Sequence, residues 1–259
     1  VPRFITVSNI ESRDPAAVIT GNERVIRPRL ADAKFFFDKD RERRLEDRLE
    51  DLASVVYQRR LGTLADKTAR VRALSRGVAE AIGADPALVD RAATLSRCDL
   101  TTLMVYEFPE LQGIAGRYYA GADGEPDGVA QAIEDFYLPR HAGDDLPGAG
   151  VAEALAIADR IDTLTGIFGI GQPPTGDRDP FGLRRAALGL VRIAVERRVD
   201  FDLDQTLEAS AAAHGDRIDA AETPAQVRAF VVERMRYWYQ DAGISPAVFE
   251  AVASASPSS

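Results

Sequence analysis

The chain has 259 residues, 46% hydrophobic and 28% charged, a balance that suits a globular protein able to bury a large core in one domain or two. Acids outnumber bases by 41 to 32, giving a net charge of −9, which excludes wrapping nucleic acid with the whole surface and confines any such contact to a local patch. No apolar run approaches the roughly 20 residues of a membrane span, no leader pattern is expected at the start, and the single cysteine, Cys98, excludes an internal disulfide and fits a reducing, cytoplasmic setting.

Residues 3–10 alternate Phe4, Thr6 and Ser8 against Ile5, Val7 and Asn9, which predicts a short strand. Asp14-Pro15 then starts a short helix, and Gly21 is expected to break it. Residues 22–51 are predicted helical and heavily charged, with Phe35, Phe36 and Phe37 anchoring one side. Such a run is either a solvated, ion-paired face or a basic strip turned to RNA.

Residues 64–82 predict an amphipathic helix with Leu64, Val71, Leu74, Val78 and Ile82 in its stripe and Gly83 at its end. Lys67 lies in that stripe, where a cation needs a partner. Pro86 opens the next helix, which turns Leu88, Ala92, Leu95, Leu103 and Tyr106 inward together with Asp99. Phe108-Pro109 stops it, and a further helix covers 111–119. Loops fill 121–128 and 139–150, with a helix at 129–137 between them. A helix over 151–165 points Val151, Leu155, Ala158 and Ile161 inward, with Asp159 among them.

The glycines and prolines of residues 169–182 force a defined loop. Asp179 is the expected N-cap of the following helix, with Pro180 at its first position. On that helix Leu183, Ala187, Leu190 and Ala194 share one apolar seam; Arg185, Arg192 and Glu196 face away, and Arg184 lies on a flank. Helices over 200–213, capped near Asp202, and from Thr223-Pro224 through Trp238 follow. Residues 251–259 are expected to fray. The fold class is all-α, a multi-helical bundle after a short N-terminal strand.

Catalytic signals are sparse. Gly169-Ile170-Gly171 lacks the lysine that closes a phosphate loop. Cys98 has no histidine near it in sequence and fits inert packing. His141 and His214 fit solvated loop positions. Asp159 and Asp162, three apart on one helix, fit a core ion pair plus a surface acid better than an acid–base couple.

Pro174-Thr175-Gly176, Asp179-Pro180-Phe181 and Leu183-Arg184-Arg185-Ala186-Ala187-Leu188-Gly189 together resemble a segment of the β subunit of the bacterial two-subunit glycyl-tRNA synthetase. Agreeing blocks are Arg3-Phe4-Ile5-Thr6-Val7-Ser8-Asn9-Ile10, Gly21-Asn22-Glu23-Arg24-Val25, Arg27-Pro28-Arg29-Leu30-Ala31-Asp32-Ala33, Phe35-Phe36-Phe37, Gln58 to Leu64 with Asp66-Lys67, and Glu107-Phe108-Pro109-Glu110-Leu111-Gln112-Gly113. The resemblance runs from Val1 to about Tyr239 and implies a central piece of a longer subunit. Residues 1–55 would end a preceding domain and form a charged connecting helix, 56–243 would be a helical domain, and 244–259 would begin a following segment. The family joins glycine to tRNA with ATP and magnesium, and activation belongs to the α subunit. The resemblance therefore implies no catalytic residue and no cofactor here, but a scaffold for tRNA(Gly) and the α subunit. Arg184, Arg185 and Arg192 are the first candidates for RNA contact, and Arg24, Arg27 and Arg29 the second. The competing reading for each is a local ion pair, such as Arg192 with Glu196.

The helical region is also similar to the HD phosphohydrolase fold, whose bundle carries a His, a His-Asp pair and a final Asp on a metal. The matching positions hold Lys67, Cys98-Asp99 and Asp159, with Glu110 a looser match to a further His. Every expected imidazole is missing, so no metal is expected, and Lys67 is expected to pair with Asp99 or Asp159. The alternatives are a degenerate HD-type metal-dependent phosphohydrolase and an interaction module with no RNA contact.

Overall fold

The computed structural model describes residues 3–254. Residues 3–10 form no strand: Ile5, Val7 and Ile10 are 94%, 88% and 77% exposed. Alternation alone cannot hold a strand without a neighbour to take its backbone groups, and none lies alongside among the described residues.

Helix α1 runs Pro15–Asp40 without interruption. The Asp14 carboxylate accepts from Ala17 N at 3.0 Å, and Pro15 sits where its missing donor costs nothing. Gly21 does not break the helix, because a lone glycine costs only about 1 kcal/mol. The helix stops short of the expected residue 51 because the Asp40 carboxylate is engaged elsewhere. It accepts from Leu103 N and Met104 N at 2.9 Å, from Tyr119 Oη at 3.0 Å and from Arg48 at 3.2 Å. Two 3-10 turns, Glu46–Arg48 and Glu50–Ser54, and a small hairpin of β1 (Val56–Gln58) and β2 (Gly62–Thr63) follow. Sequence periodicity carries no sign of that hairpin, which is too short to show a period.

Helix α2 (Leu64–Ile82) has the predicted bounds: Thr63 and Asp66 form a capping box, and Gly83 at φ 71° closes it. The single helix expected after Pro86 is three pieces: α3 (Pro86–Leu95), a 3-10 turn (Cys98–Thr101) and α4 (Leu103–Glu107). Thr102 restarts it by accepting from Val105 N. Then come α5 (Ile114–Ala122), α6 (Asp127–Asp135), α7 (Val151–Gly169), α8 (Leu183–Arg197), α9 (Leu203–His214), α10 (Thr223–Asp241) and α11 (Pro246–Ala253). Residues 255–259 of the expected frayed tail lie outside the described residues.

Helix α8 begins at Leu183, not Pro180, which lies in a turn. Asp179 still accepts from Leu183 N and Arg184 N, at 2.8 and 2.9 Å, reaching across a left-handed Gly182 at φ 66°. The N-cap is Gly182, not Asp179, but the Asp179 carboxylate still satisfies the first amides of the helix from a turn earlier.

The fold is an all-α bundle built round α7, which packs against α2, α3, α6, α8, α9 and α10. Nearly every α7 side chain is buried, including Leu155, Ile157, Ile161 and Leu164, each contributing about 1.5–3 kcal/mol of transfer free energy. Gly166 lets α9 approach: a Cβ there would lie 2.8 Å from the His214 ring and from Leu61. By contrast, α1 contacts the bundle through α4, and Asp40 is its only fully buried residue.

Candidate functional site

Lys67 on α2 is 4% exposed, and its ammonium sits 3.1 Å from Asp159 and 3.0 Å from Asp162 on α7. It also donates to Thr163 Oγ1 at 2.8 Å and lies 4.7 Å from the Tyr57 ring centre. Arg70, one turn along α2, donates to Asp162 at 2.7 Å and to the Leu61 carbonyl. Arg97 pairs with Asp159. Burial alone would lower the Lys67 pKa, but Asp159 and Asp162 outweigh it and hold the amine charged. Burial would likewise raise Asp162, yet Lys67, His214 and Arg70 hold it well below the usual carboxylate range.

This arrangement does not fit a divalent ion. Three cations already face two carboxylates, and among the described residues no group of three or more His, Cys, Asp or Glu is placed to hold a metal. Of the two partners expected for Lys67, the structure brings Asp159 to it; Asp99 bonds elsewhere. Asp99 Oδ2 accepts from Gly113 N at 2.7 Å and Gly116 N at 3.2 Å, while Oδ1 has no hydrogen-bond partner. Burial lifts the Asp99 carboxyl to about 6 against the pull of those two amides. Cys98 turns to the Thr94 carbonyl, and burial pushes its thiol up to about 12, as inert packing requires.

Three expectations are corrected. Glu110 is not inward: it is exposed on a 3-10 turn (Pro109–Leu111) that follows the end of α4 and does not continue its inward face. Asp162 is no surface acid: at 1% exposed it is the most enclosed member of the cluster, because α7 is buried on nearly every side. His214 is no solvated loop residue: it ends α9, 3% exposed, with Nε2 3.3 Å from Asp162 Oδ1. His141 is exposed, as expected. Arg160, which no sequence pattern singles out, is buried and donates to the carbonyls of Phe136, Tyr137, Leu138 and Pro139. Those four acceptors lie in a loop, where no periodicity could announce them, and a fifth is the Ala156 carbonyl one turn back on α7.

The first-ranked arginines converge. Arg184, Arg185 and Arg192 on α8 line one open groove of about 570 Å³ with Arg234, Tyr237, Trp238 and Asp241 of α10. Arg192 is tied to Glu196 at 2.7 Å and to the Asp144 carbonyl at 3.0 Å, the local pair that was the competing reading for it. Arg184 donates to the Gly176 carbonyl at 2.6 Å. Arg185 is exposed, with no hydrogen bond or ion pair among the described residues. It also borders a second cleft of about 320 Å³ with Arg140, Asp159 and Thr163. The second-ranked arginines stand apart on α1. Arg27 pairs with Glu23 at 3.0 Å, Arg29 lies 3.9 Å from Glu107, and Arg24 is exposed.

Comparison with known proteins agrees over the whole chain. The family model described as Glycyl-tRNA synthetase beta subunit matches residues 1–254. The glycine–tRNA ligase beta subunit of Chromohalobacter salexigens is 57% identical over 251 residues, 97% of this chain and 36% of the relative. Those of Citrobacter koseri and Salmonella typhi are each 53% identical over 257 residues, 99% of this chain and 37% of each relative. The chain thus spans little more than a third of the length of these relatives. Matched from end to end of its described residues, it belongs to the glycyl-tRNA synthetase beta subunit family.

Proposed function

We propose that this chain is a non-catalytic helical scaffold within a glycine–tRNA ligase, supporting tRNA(Gly) and the α subunit while the whole cytoplasmic enzyme joins glycine to tRNA with ATP and magnesium. The observation that carries this reading is the convergence of Arg184, Arg185 and Arg192 on one groove of an otherwise acidic body. Guanidinium groups suit phosphate because their forked donors match two of its oxygens. A locked ion cluster at Lys67, Asp159 and Asp162 supports the scaffold role, since it ties α2 to α7 and leaves no carboxylate pair open for an activated water. The metal-phosphohydrolase alternative gains no support from it.

The test is filter binding of transcribed tRNA(Gly) to the intact ligase carrying Arg184→Glu and Arg185→Glu. Affinity is expected to fall, and the slope of log K against log salt to decrease in magnitude by up to about 2, near 0.9 for each phosphate that is no longer neutralised. Unchanged affinity would remove the groove from RNA binding.

A further inference from the structure

The groove between α8 and α10 is more than a patch of positive charge. Its wall from α10 carries two adjacent aromatics, Tyr237, 51% exposed, and the half-buried Trp238, and its floor includes Leu188 and Ala142. A phosphate-only surface has no use for such lining, whereas a nucleobase has an apolar π face that stacks on it. The side chains are held in place. Trp238 shares the groove with Glu196, which Arg192 clamps at 2.7 Å, and Arg234 lies 5.2 Å from the Tyr237 ring centre.

Charge is distributed along the groove in a way that orients an occupant. Arg184 and Arg185 stand at the start of α8, and Glu196, which lines the groove with Trp238, lies eleven residues beyond Arg185, about 16 Å along the axis at 1.5 Å per residue. The Arg192 and Arg234 guanidiniums are occupied by Glu196 and Glu233, so they contribute shape more than free charge. Arg184, bonded only to a backbone carbonyl, and Arg185, with no bond at all among the described residues, keep their charge for an anion, and Arg185 has its guanidinium free. The α8 N-terminus is already filled by the Asp179 carboxylate, so the anion would be held by guanidinium and not by backbone amides. Asp241 adds a carboxylate without an ion pair among the described residues, an acceptor for base N–H groups that would repel a phosphate there.

We propose that this groove receives a single unpaired nucleotide of the RNA, its base stacked at Tyr237 and Trp238 and its phosphate on Arg185. This rests on the RNA-binding role proposed above and specifies what part of the RNA the site takes. Because Arg185 also borders the second cleft, the sugar–phosphate chain continues over it toward Arg140, whose guanidinium lies 5.9 Å from the Tyr137 ring centre.

The experiment places Tyr237→Leu, Trp238→Leu and Trp238→Phe separately in the intact ligase and measures transcribed tRNA(Gly) binding at several salt concentrations, with the arginine double variant beside them. Leucine keeps apolar bulk and removes the π face; phenylalanine restores one. The proposal expects each leucine variant to bind about 5- to 100-fold more weakly, the range of base–aromatic stacking, with the salt slope unchanged and Trp238→Phe recovering most of the loss. Tyr237→Leu guards against a folding defect, since that side chain is half exposed. If both leucine variants bind as the parent while the arginine variant is weakened, the groove is a phosphate contact only and the stacking proposal fails alone. If none of the variants weakens binding, the RNA-binding reading fails with it.

Discussion

Lys67 shows how a buried charge is tolerated when its partners are fixed. The ammonium lies between Asp159 and Asp162 on the neighbouring helix, and Arg70 and Arg97 complete their coordination. Truncating one member of a buried ion cluster leaves the others uncompensated, which costs about 3–5 kcal/mol. Lys67→Met should therefore lower the urea midpoint by a corresponding amount without altering the m-value. Asp99 gives a separate signature. With its carboxyl at about 6 in the folded chain and near 3.9 unfolded, the folded state holds the proton more tightly, so stability falls as pH rises from about 4 to about 6, by about 3 kcal/mol. Asp162 has the opposite sign: its stabilisation is present above about pH 4 and is lost as pH falls below that. Asp99→Asn should flatten the pH 4–6 limb in a denaturation series and leave the acid limb in place. At this scale the sequence located Lys67 and its need for a partner, since a cation in an apolar stripe is conspicuous. Asp162 escaped because its helix is buried on nearly every side, so the assumption of one inward seam failed there.

Elements whose ends carry their own chemistry were the most legible. Thr63, Asp66 and Gly83 fix α2 from local bonding alone, and its bounds follow from the sequence. Elements defined by distant partners were not: α1 stops where Asp40 bonds residues more than 60 positions away, and the expected strand at 3–10 lacks a partner. Close approach of α7 and α9 depends likewise on something no local pattern reveals, the missing side chain at Gly166. Gly166→Ala would set a methyl 2.8 Å from the buried His214 ring and Leu61, forcing the helices apart. Thermal unfolding should show a loss of about 1–3 kcal/mol, the cost of overpacking, and the shift should be larger than for alanine at Gly128, where a Cβ meets nothing within 4 Å.

Across the whole molecule, a body of net charge −9 presents a groove where arginines outnumber acids. A net negative body disfavours a polyanion in general, so the RNA contact proposed for that groove would gain in placement at some cost in affinity. The convergence of Arg184, Arg185 and Arg192 was legible because all three sit on one helix; that Tyr237 and Trp238 face them was not, since α10 comes from forty residues later and nothing in its own sequence names the helix it will meet. No helix among the described residues is long and apolar enough to cross a membrane.

Helix α1, Pro15–Asp40, spans about 39 Å at 1.5 Å per residue, yet is seated in the bundle chiefly over its C-terminal part, where the Asp40 carboxylate is bonded, Ala33, Phe36 and Phe37 pack against the core and Arg29 lies over the Phe108 ring. Its geometry is that of a boom on a pivot. The stretch from Pro15 to Arg29 is about 21 Å long, so a turn of about 10° where α1 leaves α4 would carry its tip through about 4 Å.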